Sequence, residues 1–318
     1  MRVFITGIAG MIGYHLASKL RSQGHHVWGL DDFNDYYDPL LKKARARNLR
    51  REGVEVCDED LLHTDWFYHL HHEKPDLVVH LAAHTNPRHS LDHVQLYINV
   101  NITGTQKLID ACKKYGINNV IYASTSCVME GQPLPYRESD RPALQTNPYA
   151  WTKRANESQF SHAGIARTAG LRFFTVYGPY GRPDMALGLF ADGIVNRRPI
   201  TIYNHGLMKR DWTYVEDICQ GVGLVADRMM AEPDGAWNEI YNIGSGVSTP
   251  LLDFVGEIER CLGREAIRDL QPMHPGDVQE TLSDISRIQA LGYQPQTSIS
   301  AGVRNFVDWY LDYYQVRL

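Results

Sequence analysis

Tyr149 and Lys153, in Tyr149-Ala150-Trp151-Thr152-Lys153, form the one YxxxK pattern in the chain. Pro148 just before them marks a helix start, and an i, i+4 separation sets both side chains on one helix face. An ammonium beside a phenol favours phenolate, so the pairing predicts a tyrosine pKa lowered toward working pH, as a general base requires. Upstream, the apolar run Val120–Ala123 leads into Ser124-Thr125-Ser126-Cys127, a hydroxyl cluster at a strand end. The first residues hold another constellation: Gly7, Gly10 and Gly13 stand as GxxGxxG, with Met11 and Ile12 inside the motif. Glycines there let the backbone turn tightly and approach a pyrophosphate, which the following helix N-terminus stabilises. Asp31 follows at the end of the next strand, about 20 residues on, where a carboxylate holds ribose hydroxyls. The residues after it, Asp32-Phe33-Asn34-Asp35, include no arginine for a 2′-phosphate, so the expected cofactor is NAD rather than NADP.

Those residues need elements to place them. Strands are expected at Arg2–Thr6, His26–Leu30, Val54–Cys57, Leu77–Leu81 and Val120–Ala123, with helices at Met11–Gln23, Gln95–Tyr115 and Pro148–Ala163. Alternation of fully apolar strands with amphipathic helices predicts an α/β protein, a Rossmann-type doubly wound parallel sheet. Ligands bind beyond the carboxyl ends of such strands, so Asp60-Leu61 and Leu81-Ala82-Ala83 read as adenine and ribose walls or as ordinary packing. After Phe174 the pattern blurs, with breaks at Gly178–Asp184, Ser245–Pro250 and Leu270–Asp277. The division expected is an NAD-binding Rossmann domain over 1–174, interleaved with later segments, and a smaller mixed α/β substrate lobe over 175–318.

Composition narrows the class. The 318 residues are 43% hydrophobic and 22% charged, which excludes disorder, collagen and coiled coil. A net charge of −5 argues against a nucleic-acid platform. Five scattered cysteines without a CxxC read as reduced thiols, and no run of 18 apolar residues suggests a membrane span. The opening Met1–Gly7 reads as a strand rather than a secretory signal, so a cytoplasmic protein is expected. His69, His71 and His72 lack metal-ligand spacing and read as a solvated helix end, with no metal expected. Lys42, Lys43, Arg45, Arg47, Arg50 and Arg51 read as a solvated basic helix face.

Together these motifs resemble the extended short-chain dehydrogenase/reductases. The resemblance narrows along the whole chain: Asp31–Asp38 (DDFNDYYD), Arg172–Pro179 (RFFTVYGP), Gly181–Ala186 (GRPDMA), Asn204-His205-Gly206 with Arg210–Tyr214 (RDWTY), and Leu291-Gly292-Tyr293 with Phe306–Tyr310 are similar to the UDP-glucuronate 4-epimerases. That resemblance implies Thr125 as the hydroxyl polarising the sugar O4, Tyr149 as base and Lys153 on the nicotinamide ribose, with Phe174 and Val176 flanking the nicotinamide. It implies Ser126, Cys127, Thr175 and Arg182 around the sugar carboxylate, Arg210 and Asp277 at the UDP, and Arg88, Met185 and Tyr203 as further substrate contacts. The chain departs from the family pattern at Cys127, where serine is common, and at Val128-Met129-Glu130-Gly131, where Val-Tyr-Gly is usual. It departs again at His84-Thr85-Asn86-Pro87-Arg88 and at His274. The implied reaction is NAD-dependent 4-epimerisation of UDP-glucuronate to UDP-galacturonate through a 4-keto sugar, in a homodimer. The alternatives are UDP-glucuronate decarboxylation, since that keto sugar is a β-keto acid, a neutral UDP-hexose 4-epimerase, a 4,6-dehydratase, and an inactive dinucleotide sensor. A dehydratase usually carries Asp-Glu after the catalytic hydroxyl, where this chain has Ser126-Cys127. A sensor often loses part of the Thr/Tyr/Lys set, which is complete here.

Overall fold

The structure is a computed structural model that describes residues 1–141, 145–232, 235–274 and 277–318. Its first half alternates strand and helix: β1 (Arg2–Thr6), α1 (Met11–Ser22), β2 (His26–Asp31), α2 (Pro39–Arg51), β3 (Glu55–Asp58) and β4 (Leu77–His80). Short helices α3 (Pro87–Asp92) and α4 (Val94–Tyr97) precede α5 (Thr105–Tyr115), then come β5 (Asn119–Thr125), α6 (Pro148–Ser161) and β6 (Arg167–Phe173). The second half runs β7 (Thr175–Tyr177), α7 (Ala186–Val195), β8 (Ile200–Ile202), β9 (Lys209–Tyr214), α8 (Val215–Ala231) and β10 (Trp237–Ile243). It ends with β11 (Ser248–Pro250), α9 (Leu251–Leu262), β12 (Arg268–Leu270), α10 (Ser286–Gln289) and α11 (Ile299–Tyr313).

Seven strands form one parallel sheet in the order β10-β6-β5-β4-β1-β2-β3. The inner strands β1, β4, β5 and β6 are buried on both faces, whereas the edge strand β3 leaves Glu55 and Asp58 exposed. On β1, Val3 and Ile5 join a core with Val79, Ile121 and Leu171, while Phe4 joins Trp28, Val78 and Tyr122 on the other face. The strand order reverses between β1 and β4, which opens a crevice at their carboxyl ends.

The chain leaves this sheet at Phe174 and returns. β7, β9 and β11 form a small second sheet, β8 pairs with β12, and a separate core gathers Tyr177, Phe190, Trp212, Phe254 and Phe306. Then α8 lays Ile218, Val222, Val225 and Met229 against the main core, and β10 adds the seventh strand beside β6. Helix α8 and strand β10 therefore pack with the large sheet although they follow the first strands of the small one.

Three sequence expectations shift. β3 covers Glu55–Asp58, one residue later than expected, and Asp60-Leu61 follows just past its end. The helix expected over Gln95–Tyr115 is broken by a π-helical turn, Ile98–Gly104, between α4 and α5. Gly104 sits over the Leu61 side chain there, and a Cβ would come within 2.6 Å of it. The third lies in the break at Leu270–Asp277, of which Pro275 and Gly276 are outside the described residues.

Candidate active site

The glycine loop spans the switch point between β1 and α1. Gly7 has φ 73°, a left-handed conformation that favours glycine, and a Cβ there would sit 2.8 Å from the Ala82 amide nitrogen. At Gly13 a Cβ would meet the Gly7 carbonyl oxygen at 2.3 Å. No side chain caps α1, whose first turn carries Met11 and Ile12 after Gly10. Backbone this close, with uncapped amides at a helix N-terminus, fits the pyrophosphate of a dinucleotide. Beneath it, His80 is buried between two hydroxyls, Nδ1 at 2.7 Å from Thr6 Oγ1 and Nε2 at 2.9 Å from Thr105 Oγ1. Burial, helped by the charge of Lys153, lowers the His80 pKa to about 3 and keeps the ring neutral. Thr6 Oγ1 also accepts from the Ala82 amide at 3.2 Å, fixing the Leu81-Ala82-Ala83 segment against the loop. Past β3, the Asp60 carboxylate accepts from the Leu62 amide at 2.8 Å, and Leu61 is buried.

Asp31 ends β2 and is 5% exposed. Lys42 Nζ donates to it at 2.9 Å and to Asp32 at 3.2 Å. Lys42 was expected on a solvated face, as was Arg45, and both are buried. Arg45 donates to the Ala9 carbonyl at 2.7 Å, to the Tyr37 hydroxyl at 2.8 Å and to the Tyr180 carbonyl at 2.6 Å. Carboxylates and carbonyls supplied by other segments make burial of these cations tolerable, which a helix pattern alone does not reveal. The dinucleotide crevice thus has a lysine that sequence reading missed, already neutralised by two aspartates.

Helix α6 begins where Asn147 Oδ1 accepts from the Ala150 amide at 2.9 Å, with Pro148 in the first turn. This cap sets Tyr149 toward the end of β5, where its phenol meets the Thr125 hydroxyl. The expected lowering of the Tyr149 pKa is not what the geometry gives. Burial, reinforced by Cys127, pushes the phenol above its ordinary value, with Thr125 and Arg182 opposing. Lys153 one turn on is drawn down to about 8 by burial, which Glu157 opposes. Burial would raise Glu157, but Arg172, Ser124 and Arg154 hold it below the usual carboxylate range. Arg172 grips Glu157 through Nε at 2.8 Å and Nη2 at 3.0 Å, and Ser124 donates at 2.7 Å. Ser124 is therefore committed to this buried network, and the hydroxyls left facing the crevice are those of Thr125 and Ser126.

Arg182 lies near enough to Tyr149 for its charge to favour phenolate. It is bidentate on Asp184, at 2.9 and 2.7 Å, donates to the Thr85 hydroxyl, and stacks 5.4 Å from the Tyr36 ring centroid. Asp184 also accepts from the Tyr36 hydroxyl at 2.9 Å and Asn86 Nδ2 at 3.1 Å. The sequence reading gave none of Tyr36, Thr85, Asn86 and Asp184 a role, although all four fall in quoted segments. Farther out, Arg88 pairs with Asp277 at 2.8 Å and stacks 4.5 Å over Tyr203. Arg210 donates to the Lys209 and Gln279 carbonyls at 2.8 and 3.2 Å and faces Asp277, so these four residues form one cluster. Thr175 and Val176 are half-buried on β7, Met185 is exposed at the start of α7, and Phe174 packs with Val128, Met129 and Tyr136.

His69 overturns the solvated-end reading: it is fully buried and stacks on Phe4 at 4.8 Å. With Cys57 and Glu59 it places three potential ligand atoms within 4.8 Å of one another. Within that group His69 Nε2 meets Glu59 at 3.2 Å, while the Cys57 thiol donates outside it, to Glu55 at 3.6 Å.

Comparison with known proteins follows the geometry. The profile of the NAD dependent epimerase/dehydratase family matches residues 3–244. The chain is 40% identical to Protein CapI of Staphylococcus aureus, covering 99% of this chain and 100% of that one. It is 36% identical to a probable UDP-glucuronate 4-epimerase of Rhizobium meliloti, covering 98% and 97%. In solved structures it resembles the UDP-glucuronic acid 4-epimerase from Bacillus cereus in complex with UDP-glucuronic acid and NAD. That match has TM-score 0.91 and 31% identity, over 99% of this chain and 100% of that chain.

Proposed function

This chain belongs to the NAD dependent epimerase/dehydratase family, and from that premise we infer that it interconverts UDP-glucuronate and UDP-galacturonate by epimerisation at C4. One observation carries the reading: a phenol–hydroxyl pair, Tyr149 and Thr125, stands beside the fixed cation Arg182, in the lobe crevice that begins at the glycine cradle. A general base, a polarising hydroxyl and a carboxylate-binding guanidinium together suit oxidation next to a uronate.

When bound, NAD supplies an acceptor and donor of two electrons for C4. Gly7, Gly10 and Gly13 with the first turn of α1 hold its pyrophosphate, Asp31 and Lys42 its adenosine ribose, and Lys153 its nicotinamide ribose. Leu81, Ala82, Ala83, Phe174 and Val176 line that crevice. Thr125 polarises the sugar O4 and Tyr149 takes its proton, then returns one to the same oxygen after the planar keto sugar has turned over. The 4-keto sugar is a β-keto acid, and loss of carbon dioxide needs the carboxylate bond to swing perpendicular to the carbonyl plane. Arg182, Thr175, Ser126 and Cys127 restrain that swing, which favours epimerase over decarboxylase. The cluster of Arg88, Tyr203, Arg210 and Asp277 takes the UDP end.

Lys42 sharpens the cofactor expectation. Asp31→Ala removes the ribose acceptor, a charge-assisted bond of about 1.5–3 kcal/mol, so NAD affinity should fall by about tenfold or more. The same change frees Lys42 from one of its two aspartates, so NADP should bind as well as before or better. An unchanged NAD to NADP ratio in calorimetric titration would show that Asp31 does not set the preference.

Leu91, Val94, Leu96 and Trp151 are exposed on α3, α4 and α6, and we read that apolar face as the seat of a second copy in a homodimer. All five cysteines are free thiols, which suits a reducing cytoplasm. No helix is long and apolar enough to cross a membrane among the described residues. The test of function is product analysis. UDP-glucuronate incubated with the enzyme should yield UDP-galacturonate without added cofactor beyond NAD, and the same preparation should sediment as two copies. A UDP-pentose as main product would make the enzyme a decarboxylase.

A further inference from the structure

Glu130 stands directly after the turn that carries Ser126 and Cys127. It is 7% exposed, and among the described residues it enters no ion pair. The Thr146 hydroxyl donates to its Oε2. Asn147 Nδ2 donates to Thr146 Oγ1 at 3.2 Å, and Asn147 Oδ1 caps the helix that bears Tyr149. On its own side the Glu130 amide donates to the Cys127 carbonyl at 3.4 Å, and the Cys127 amide donates to Thr125 Oγ1 at 3.3 Å. The Glu130 side chain therefore reaches from the turn that follows β5 to the residue before the cap of α6, the two elements that must stay in register for proton transfer.

Charge decides the form in which it does so. Burial raises the Glu130 pKa, opposed by Thr146, Cys127 and the Arg210 guanidinium from β9, while Asp277 raises it further and Tyr136 also faces it. A buried carboxylate without a close cation is costly, whereas the neutral acid is not.

We propose that Glu130 is a positioning residue for uronate turnover: its carboxyl ties the Ser126–Cys127 turn to the N-terminus of the Tyr149 helix, and its protonated form is the one that accepts a sugar carboxylate beside that turn. The second clause rests on the reading of UDP-glucuronate as substrate. A second negative charge at this point repels the uronate and leaves a neutral sugar or bare UDP untouched.

The experiment is steady-state kinetics with UDP-glucuronate from about pH 5 to about pH 9, the direction in which a carboxyl gives up its proton. Wild-type KM should rise with pH, by up to about tenfold, since an ionised Glu130 and the sugar carboxylate are like charges brought together. Glu130→Gln keeps shape and hydrogen bonding but cannot ionise, so its KM should stay flat with kcat within about threefold of wild type. Glu130→Ala should lower kcat by about tenfold at every pH, the turn having lost a buried hydrogen-bonded tie. UDP affinity should not follow this titration in either enzyme. Parallel KM profiles for wild type and Glu130→Gln would overturn the charge role, and a wild-type kcat in Glu130→Ala would overturn the positioning role. If wild type turns over UDP-glucose but not UDP-glucuronate, the substrate reading fails and the charge role falls with it, while the kcat of Glu130→Ala on UDP-glucose still decides the positioning role.

Discussion

Replacing Tyr149 by Phe should lower turnover of UDP-glucuronate by about 10²–10⁴-fold, the contribution of general acid–base catalysis, while UDP binding survives. Phe keeps the ring, which lies edge-on to Tyr97 at 6.4 Å and is 8% exposed, so the local packing is preserved. What is lost is the one hydroxyl that meets Thr125. The size of the loss follows from burial, which holds the phenol above its ordinary value in the free enzyme. Phenolate is then scarce until Thr125 and Arg182 stabilise it, and no other group named in the crevice combines that position with that support. Lys153, one turn along the same helix, is itself drawn down to about 8 by burial. Turnover by the variant above a tenth of wild type would assign the base to another group.

The residues proposed for this chemistry were readable because they are local. YxxxK, GxxGxxG and an aspartate at a strand end are short patterns whose spacing reports a helix face, a tight turn and a sheet edge. The parallel sheet followed from runs apolar on both faces, and the expected strands lie within a residue or two of those found. What could not be read depends on partners far along the chain. Lys42 and Arg45 belong to a helix whose sequence is mostly polar, and only the placement of Asp31, Ala9 and Tyr180 shows which cations turn inward. Ser124 looked equivalent to Thr125 until Glu157 and Arg172 claimed it. The Tyr149 shift was misjudged because the lysine was weighed and desolvation was not. The π-helical turn at Ile98–Gly104 has no signature in hydrophobic period, although Gly104 over Leu61 gives it a packing context.

Removing Arg182 should be as damaging to substrate binding as removing Tyr149 is to chemistry, and the structure says why the loss exceeds one ion pair. Arg182 is bidentate on Asp184, whose carboxyl burial would raise but Arg182 holds well below its ordinary range. Arg182→Ala therefore deletes the cation proposed to meet the sugar carboxylate and also bares a second carboxylate, backed by Tyr36 and Asn86, at the same place. Truncating one partner of a buried charge pair costs about 2–5 kcal/mol, so UDP-glucuronate should bind about 30- to several-thousand-fold more weakly. UDP alone should bind nearly as before, since Arg88, Tyr203, Arg210 and Asp277 form their own cluster. Adding Asp184→Asn removes the bared charge and should restore part of the affinity without restoring the grip. A carboxylate no longer gripped can align for loss of carbon dioxide, so residual turnover in both variants should leak UDP-4-keto-pentose, visible by mass. Equal weakening of UDP and UDP-glucuronate would place Arg182 at the nucleotide end. A double variant no better than Arg182→Ala would show that Asp184 carries no repulsion, leaving the loss to the missing guanidinium alone.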